Sequence, residues 1–346
     1  MKFIVVILIL ILVLAPQANA MDFTAPSAPD SVETPIPEET ESFAEGLWMI
    51  VQSALRKVMP TVSETVTLCA SLMVIVVFLS IVRSIPGSTG SVVELTGVIA
   101  IAVTLLKPAA LLIRIGTQTI QELSHYGKLL LPVMTSALAA QGASITSAAL
   151  YTGTAMFDAL LSSIISSVII PLIYLFLCLS VAGNAFATPL LDKMKSFLKW
   201  IMTWCLKLVL YVFSAYIGIT GVINGSADAV AIKATKLAIS GAVPVIGNIL
   251  SDASETILIS AGIMKNAAGV YGLWVLIAIW INPFFEIGIQ YLLLKITGGI
   301  CDIFGVNRCV KLIHDFSGAM GIILAATGVV CLLLMISVVC FMKGVK

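Results

Sequence analysis

Six stretches of this chain are apolar and of a length suited to crossing a bilayer. Five of them, Val92–Ile113, Ala159–Gly183, Ile201–Ile223, Ala267–Leu294 and Ala319–Met342, run for the roughly 20 residues that a helix needs to cover a hydrocarbon core of about 30 Å. The sixth, Val66–Val82, sits at the short end of that range. Backbone in lipid must satisfy its own hydrogen bonds, which leaves helices or a closed barrel, and runs of this length select helices. The expected fold class is therefore all-α: a polytopic integral membrane protein with about six spanning helices. Composition agrees. Charged residues make up 11% of the chain, against about 25% in soluble domains. The mean hydropathy is +1.11. With so few charges a soluble fold of 346 residues could not cover its surface, and a net charge of +1 offers no basic excess to recruit nucleic acid.

The N-terminus reads as a targeting segment. Residues 1–20, MKFIVVILILILVLAPQANA, give a one-charge start at Lys2, a short apolar core from Phe3 to Leu14, and the small-x-small pattern Ala18-Asn19-Ala20. This predicts a signal peptide cleaved after Ala20. Residues 21–42 form a Pro-rich, acidic leader with no means of packing, expected outside the cytoplasm. Residues 43–59 then show helical spacing, with Leu47, Trp48, Val51, Leu55, Val58 and Met59 on one face and Arg56 and Lys57 flanking it. That pattern suits an amphipathic interfacial helix, or equally a helix packed on the chain's own membrane domain. Residues 60–346 make up the transmembrane domain.

With the leader outside, the first span delivers Arg83 to the cytoplasm, the third delivers Lys193, Lys195 and Lys199, and the fifth delivers Lys295, Arg308 and Lys311. All three inner loops then carry a basic excess, as the positive-inside rule asks, with Lys343 and Lys346 a minor violation on the other side. Two further apolar stretches, 129–150 and 237–264, would reverse that arrangement if they crossed. They are expected to be re-entrant or partly inserted helical segments.

Those two stretches align with each other at an offset of 112 residues. Pro132-Val133 matches Pro244-Val245, and the register continues to Pro171 and Pro283. The repeated unit would be a span, a Pro-Val segment and a proline-broken span, with copies at about 92–183 and 204–295 running parallel. On this reading Lys107-Pro108 interrupts the second span and Asn282-Pro283 breaks the fifth. Paired broken helices point to a central pathway, or to a duplicated scaffold with packed kinks.

Ionisable groups in apolar surroundings narrow the search. Asp252 and Glu255 lie three apart on one helical face, Glu286 follows Pro283 by three residues, and Asp158 heads the third span. Such groups are costly at membrane depth and face a cavity or a partner. Asp252, Glu255 and Glu286 are candidates to line a hydrophilic path. No chemistry-bearing motif accompanies them. The chain lacks G-x-x-x-x-G-K-[ST], H-E-x-x-H and G-x-S-x-G, and neither His125 nor His314 has metal-ligand spacing. Five of the seven cysteines lie in apolar runs, Cys301 and Cys309 sit in a polar loop, and no C-x-x-C occurs. Unpaired thiols are expected, with no catalytic residue, cofactor or metal site.

Several segments carry a resemblance. GLWMIVQSALRKVMPTVSETV follows the leader; LSHYGKLLLPVMTSALAAQG (123–142), VIIPLIYLFLCLSVAGN (168–184) and KATKLAISGAVPVIGNILSDASETILISAGIMKNAAGVYGLW (233–274) come later. In these the chain resembles the stage III sporulation protein AE family of endospore-forming bacteria. The resemblance implies a membrane subunit of a channel-like or secretion-like complex between mother cell and forespore, in the mother-cell membrane surrounding the forespore. Its partners would be other membrane proteins of the stage III sporulation A operon, including a separate ATPase and ring-forming subunits, and a forespore-membrane protein. A separate ATPase fits the missing phosphate loop. A stand-alone secondary transporter with parallel repeats, or a non-conducting scaffold, would suit the residue pattern too.

Overall fold

The computed structural model describes residues 25–29, 32, 43–85, 90–242 and 247–343, and of 221–265 the backbone alone. Every regular element described is helical. They are α1 (Phe43–Arg83), α2 (Gly90–Ala140), α3 (Ser144–Ile164), a π turn (Ile165–Ile169), α4 (Ile170–Phe186), α5 (Pro189–Ala242), α6 (Gly247–Cys301), a 3₁₀ turn (Asp302–Phe304) and α7 (Asn307–Lys343). Six helical stretches among the described residues are long and apolar enough to cross a membrane: Phe43–Arg83, Gly90–Ala140, Ser144–Phe186, Pro189–Thr220, Asn266–Phe304 and Asn307–Lys343. The six expected spans fall one in each of these helices. The signal peptide lies outside the described residues.

The helices are longer than the apolar runs imply. Lys107-Pro108 does not interrupt α2, and Asn282-Pro283 does not break α6. A proline removes one intrahelical bond and crowds the preceding turn, at a cost of about 3 kcal/mol in an isolated helix. Here tertiary packing carries the helix through. Ala109 and Leu112 beyond Pro108 are buried, as are Ile277, Ala278 and Ile281 ahead of Pro283. Pro171 behaves differently. The Ile170 N–H reaches back five residues to the Ile165 carbonyl, and Pro171, which has no N–H, then opens α4.

Pro132 lies within α2, so residues 129–150 are the end of that helix, a turn and the start of α3. Gly142 takes a left-handed φ of 87° there, and the two helices fold back on each other as a hairpin. The other Pro-Val stretch, 237–264, joins the end of α5 to the start of α6, and Pro244 lies outside the described residues.

Residues 43–59 are not a separate element. They continue through Pro60 into the first span as one helix of 41 residues. Gly46 meets Trp274, Cys69 meets Thr297, and the Ser80 hydroxyl donates to the Phe304 carbonyl at 3.0 Å. These contacts advance together along both chains, so α1 runs parallel to α6 over its whole length. The face used carries Gly46 and Ala54 alternating with Ile50 and Val58, and the two small residues let the backbones approach. Trp48, Leu55 and Met59 point outward instead. The leader is not wholly free of the bundle either. Ala25, Ala28 and Val32 pack on the core, and the Tyr126 hydroxyl donates to the Pro26 carbonyl at 3.3 Å.

Helices α6 and α7 lie at the centre, with α2 packed across both. On the perimeter Val74, Phe78, Val103, Trp204, Tyr211 and Ile219 are exposed. Such an apolar surface would be insoluble on its own and is what a lipid-facing perimeter requires.

Candidate functional site

The alternating helix directions gather the charged residues flanking the third and fifth spans at one end of the bundle. Glu94, in the second turn of α2, is largely buried and holds two arginines. Its Oε1 accepts from Arg83 Nη1 at the end of α1, and its Oε2 accepts from Arg308 Nε at the start of α7, both at 2.8 Å. The same Arg83 nitrogen donates to the Gly305 carbonyl at 2.8 Å. Three helix ends and the α6–α7 connection are thus tied at one carboxylate. The α2 N-terminal dipole favours the negative charge there.

A second cluster joins α4, α5 and α7. The Lys195 ammonium is buried and reaches Asp315 at 2.7 Å and Asp192 at 2.9 Å. Asn184 Nδ2 donates to the same Asp315 oxygen at 3.1 Å. Beside this cluster lies a cleft of about 300 Å³, bordered by Lys199, Lys311, His314 and Phe176.

Deeper in the bundle polar groups meet across helices. The Ser124 hydroxyl donates to Asp158 Oδ2 at 2.6 Å, and the second Asp158 oxygen is buried without a partner. Thr154 bonds Ser337 at 2.9 Å, and the Trp280 indole donates to Thr327 at 3.2 Å. Sequence reading singled out Asp158 but not its partner, because Ser124 lies 34 residues away on another helix. Asparagine at 158 keeps the Ser124 bond and the volume, so Asp158→Asn is expected to change stability little. Asp158→Ala strands Ser124 and opens a void, costing about 2 kcal/mol. Thermal unfolding of the two purified variants in one detergent distinguishes them.

Of the residues proposed for a hydrophilic path, Asp252 and Glu255 lie where side chains are not described. Glu286 is half-buried on α6, one turn from Asn282 on one side and from the buried Gln290 on the other. These three form a polar row along the helix. Cys301 and Cys309 are not in an open loop: both are fully buried, Cys301 closing α6 and Cys309 in the first turn of α7. All seven cysteines are free thiols. Among the described residues no group of three or more His, Cys, Asp or Glu is placed to hold a metal ion.

No solved structure matches this chain. A curated relative, stage III sporulation protein AE of Bacillus subtilis (strain 168), is 22% identical over 225 residues. That alignment covers 65% of this chain and 56% of the relative, little more than half its length. The profile of the stage III sporulation protein AE family matches residues 37–344, which takes in all seven helices and both charged clusters. The chain belongs to the stage III sporulation protein AE family.

Proposed function

We propose that this chain is the membrane subunit of a multiprotein channel-like or secretion-like complex that links mother cell and forespore and is required for endospore development. The family match over residues 37–344 carries this reading. Six apolar helices support a place in a membrane, and the sporulation family supports taking it to be the mother-cell membrane surrounding the forespore. The gathering of Arg83, Lys195, Lys199, Arg308 and Lys311 at one end supports that end as the cytoplasmic one, with the leader and both Pro-Val segments opposite. The signal peptide would be removed after Ala20.

In this assembly the chain supplies passage or scaffold, and energy comes from a separate ATPase of the stage III sporulation A operon. Ring-forming subunits and a forespore-membrane protein complete the connection. We assign no catalytic step to the chain. Asp252, Glu255 and Glu286 would line a hydrophilic route through it. Pro132, Pro171, Pro244 and Pro283 would mark two parallel copies of one unit.

Affinity isolation of the tagged chain from sporulating cells tests the reading. The ATPase and ring-forming subunits are expected to come with it. Isolation without them, together with solute transport by the purified chain in liposomes, would establish a stand-alone transporter instead.

A further inference from the structure

We propose that the cleft between α4, α5 and α7 binds the headgroup of an anionic phospholipid, with Lys199 and Lys311 holding its phosphodiester. Charge comes first. The cleft contains Lys195, Lys199 and Lys311 against Asp192 and Asp315. Both aspartates are engaged by Lys195, whose ammonium lies within 2.9 Å of each. Lys199 and Lys311 are left on the rim, and the cluster as a whole carries one net positive charge. A single phosphodiester balances it.

Depth comes second. Phe197, Trp200 and Trp204 are exposed and follow one another up the outer side of α5, with ring centroids 6.1 Å apart at each step, the first pair stacked and the second tilted by 50°. Exposed tryptophans of this kind sit at the level of lipid headgroups, which puts Lys199, the residue before Trp200, at the same level. The Lys199 ammonium also lies close over Gly318 of α7, near enough that a Cβ there would touch it at 3.4 Å. This close approach sets the Lys199 ammonium at the junction of α5 and α7.

Shape comes third. The cleft has an apolar floor at the buried Phe176 and a polar rim, a division that fits the boundary between a headgroup and its glycerol and acyl chains. Basic pockets between membrane helices at the cytoplasmic face hold lipid phosphates by this chemistry. A free phosphate would use the same two lysines but not the apolar floor or the aromatic belt.

The test is thermal unfolding of the purified full chain in a neutral detergent, with added phosphatidylglycerol, phosphatidylcholine or inorganic phosphate at one phosphate concentration. Phosphatidylglycerol is expected to raise the midpoint by several degrees, and the other two to leave it in place. In the double variant Lys199→Gln/Lys311→Gln that shift should fall by at least half. It should persist in Lys193→Gln/Lys295→Gln, which removes two charges outside the cleft. All four side chains are exposed, so both doubles should fold, and the single variants at 199 and 311 serve if the first double does not. Equal shifts in the two doubles, or no response of the unmodified chain, would overturn the site. A shift with inorganic phosphate as large as with the lipid would overturn the lipid as its occupant.

Discussion

Replacing Glu94 by alanine is expected to destabilise the bundle by about 3 kcal/mol, among the largest losses from any single side chain here. The carboxylate is largely buried and has an arginine on each oxygen at 2.8 Å. Removing it takes away the anion that both guanidinium groups share and leaves their mutual repulsion across the ends of α1 and α7 uncompensated. Arg308 is itself mostly covered, so water only partly restores it. Breaking a buried pair from one side costs more than the pair contributes, because the remaining charge is stranded. Glutamine at 94 keeps one acceptor and should fall between alanine and the unmodified chain. Thermal unfolding of the purified variants gives the order. The double change Glu94→Ala/Arg308→Met should recover part of the loss, since it removes a stranded charge along with its partner.

The second large effect is expected at Gly153, where α3 crosses α5. Any Cβ there would overlap the Tyr216 ring. The ring cannot step back easily. Its hydroxyl donates to the Ala149 carbonyl at 2.9 Å, and its centroid lies 5.7 Å from that of the Phe157 ring. Gly153→Ala should therefore cost about 2 kcal/mol, overpacking outweighing the roughly 1 kcal/mol that alanine gains over glycine in a helix. Gly218 on α5 supplies the control, since a Cβ there meets nothing within 4 Å. Gly218→Ala should be neutral or slightly stabilising. If both alanines behave alike, α3 and α5 do not pack through this contact.

Much of this architecture is legible in the chain itself. Apolar run length places all six spanning helices, because lipid permits few alternatives to a helix of that length. The family is legible too, from segments that carry no catalytic motif. Helix continuity is harder to see. Pro108 and Pro283 look like breaks, and they would be in isolated helices, but packing around Ala109, Leu112 and Ala278 outweighs the lost hydrogen bonds. The apolar face expected on residues 43–59 divides in the structure: Leu47, Val51 and Val58 are buried or packed on the core, and Trp48, Leu55 and Met59 are exposed. The charged clusters were invisible as clusters. Glu94 and Arg308 are neighbours in space yet more than 200 residues apart, and no local pattern encodes that pairing. What was visible was each loop's basic excess, which the bundle then assembles at one end.

On the proposed function the chain is a required membrane part of the connection between mother cell and forespore. The most direct measurement is the count of heat-resistant spores after deletion of the gene in its spore-forming host, with the full chain or the Glu94→Ala chain returned. Deletion is expected to reduce spores to background, the full chain to restore them, and Glu94→Ala to restore them poorly. Spore numbers unchanged by the deletion would contradict it.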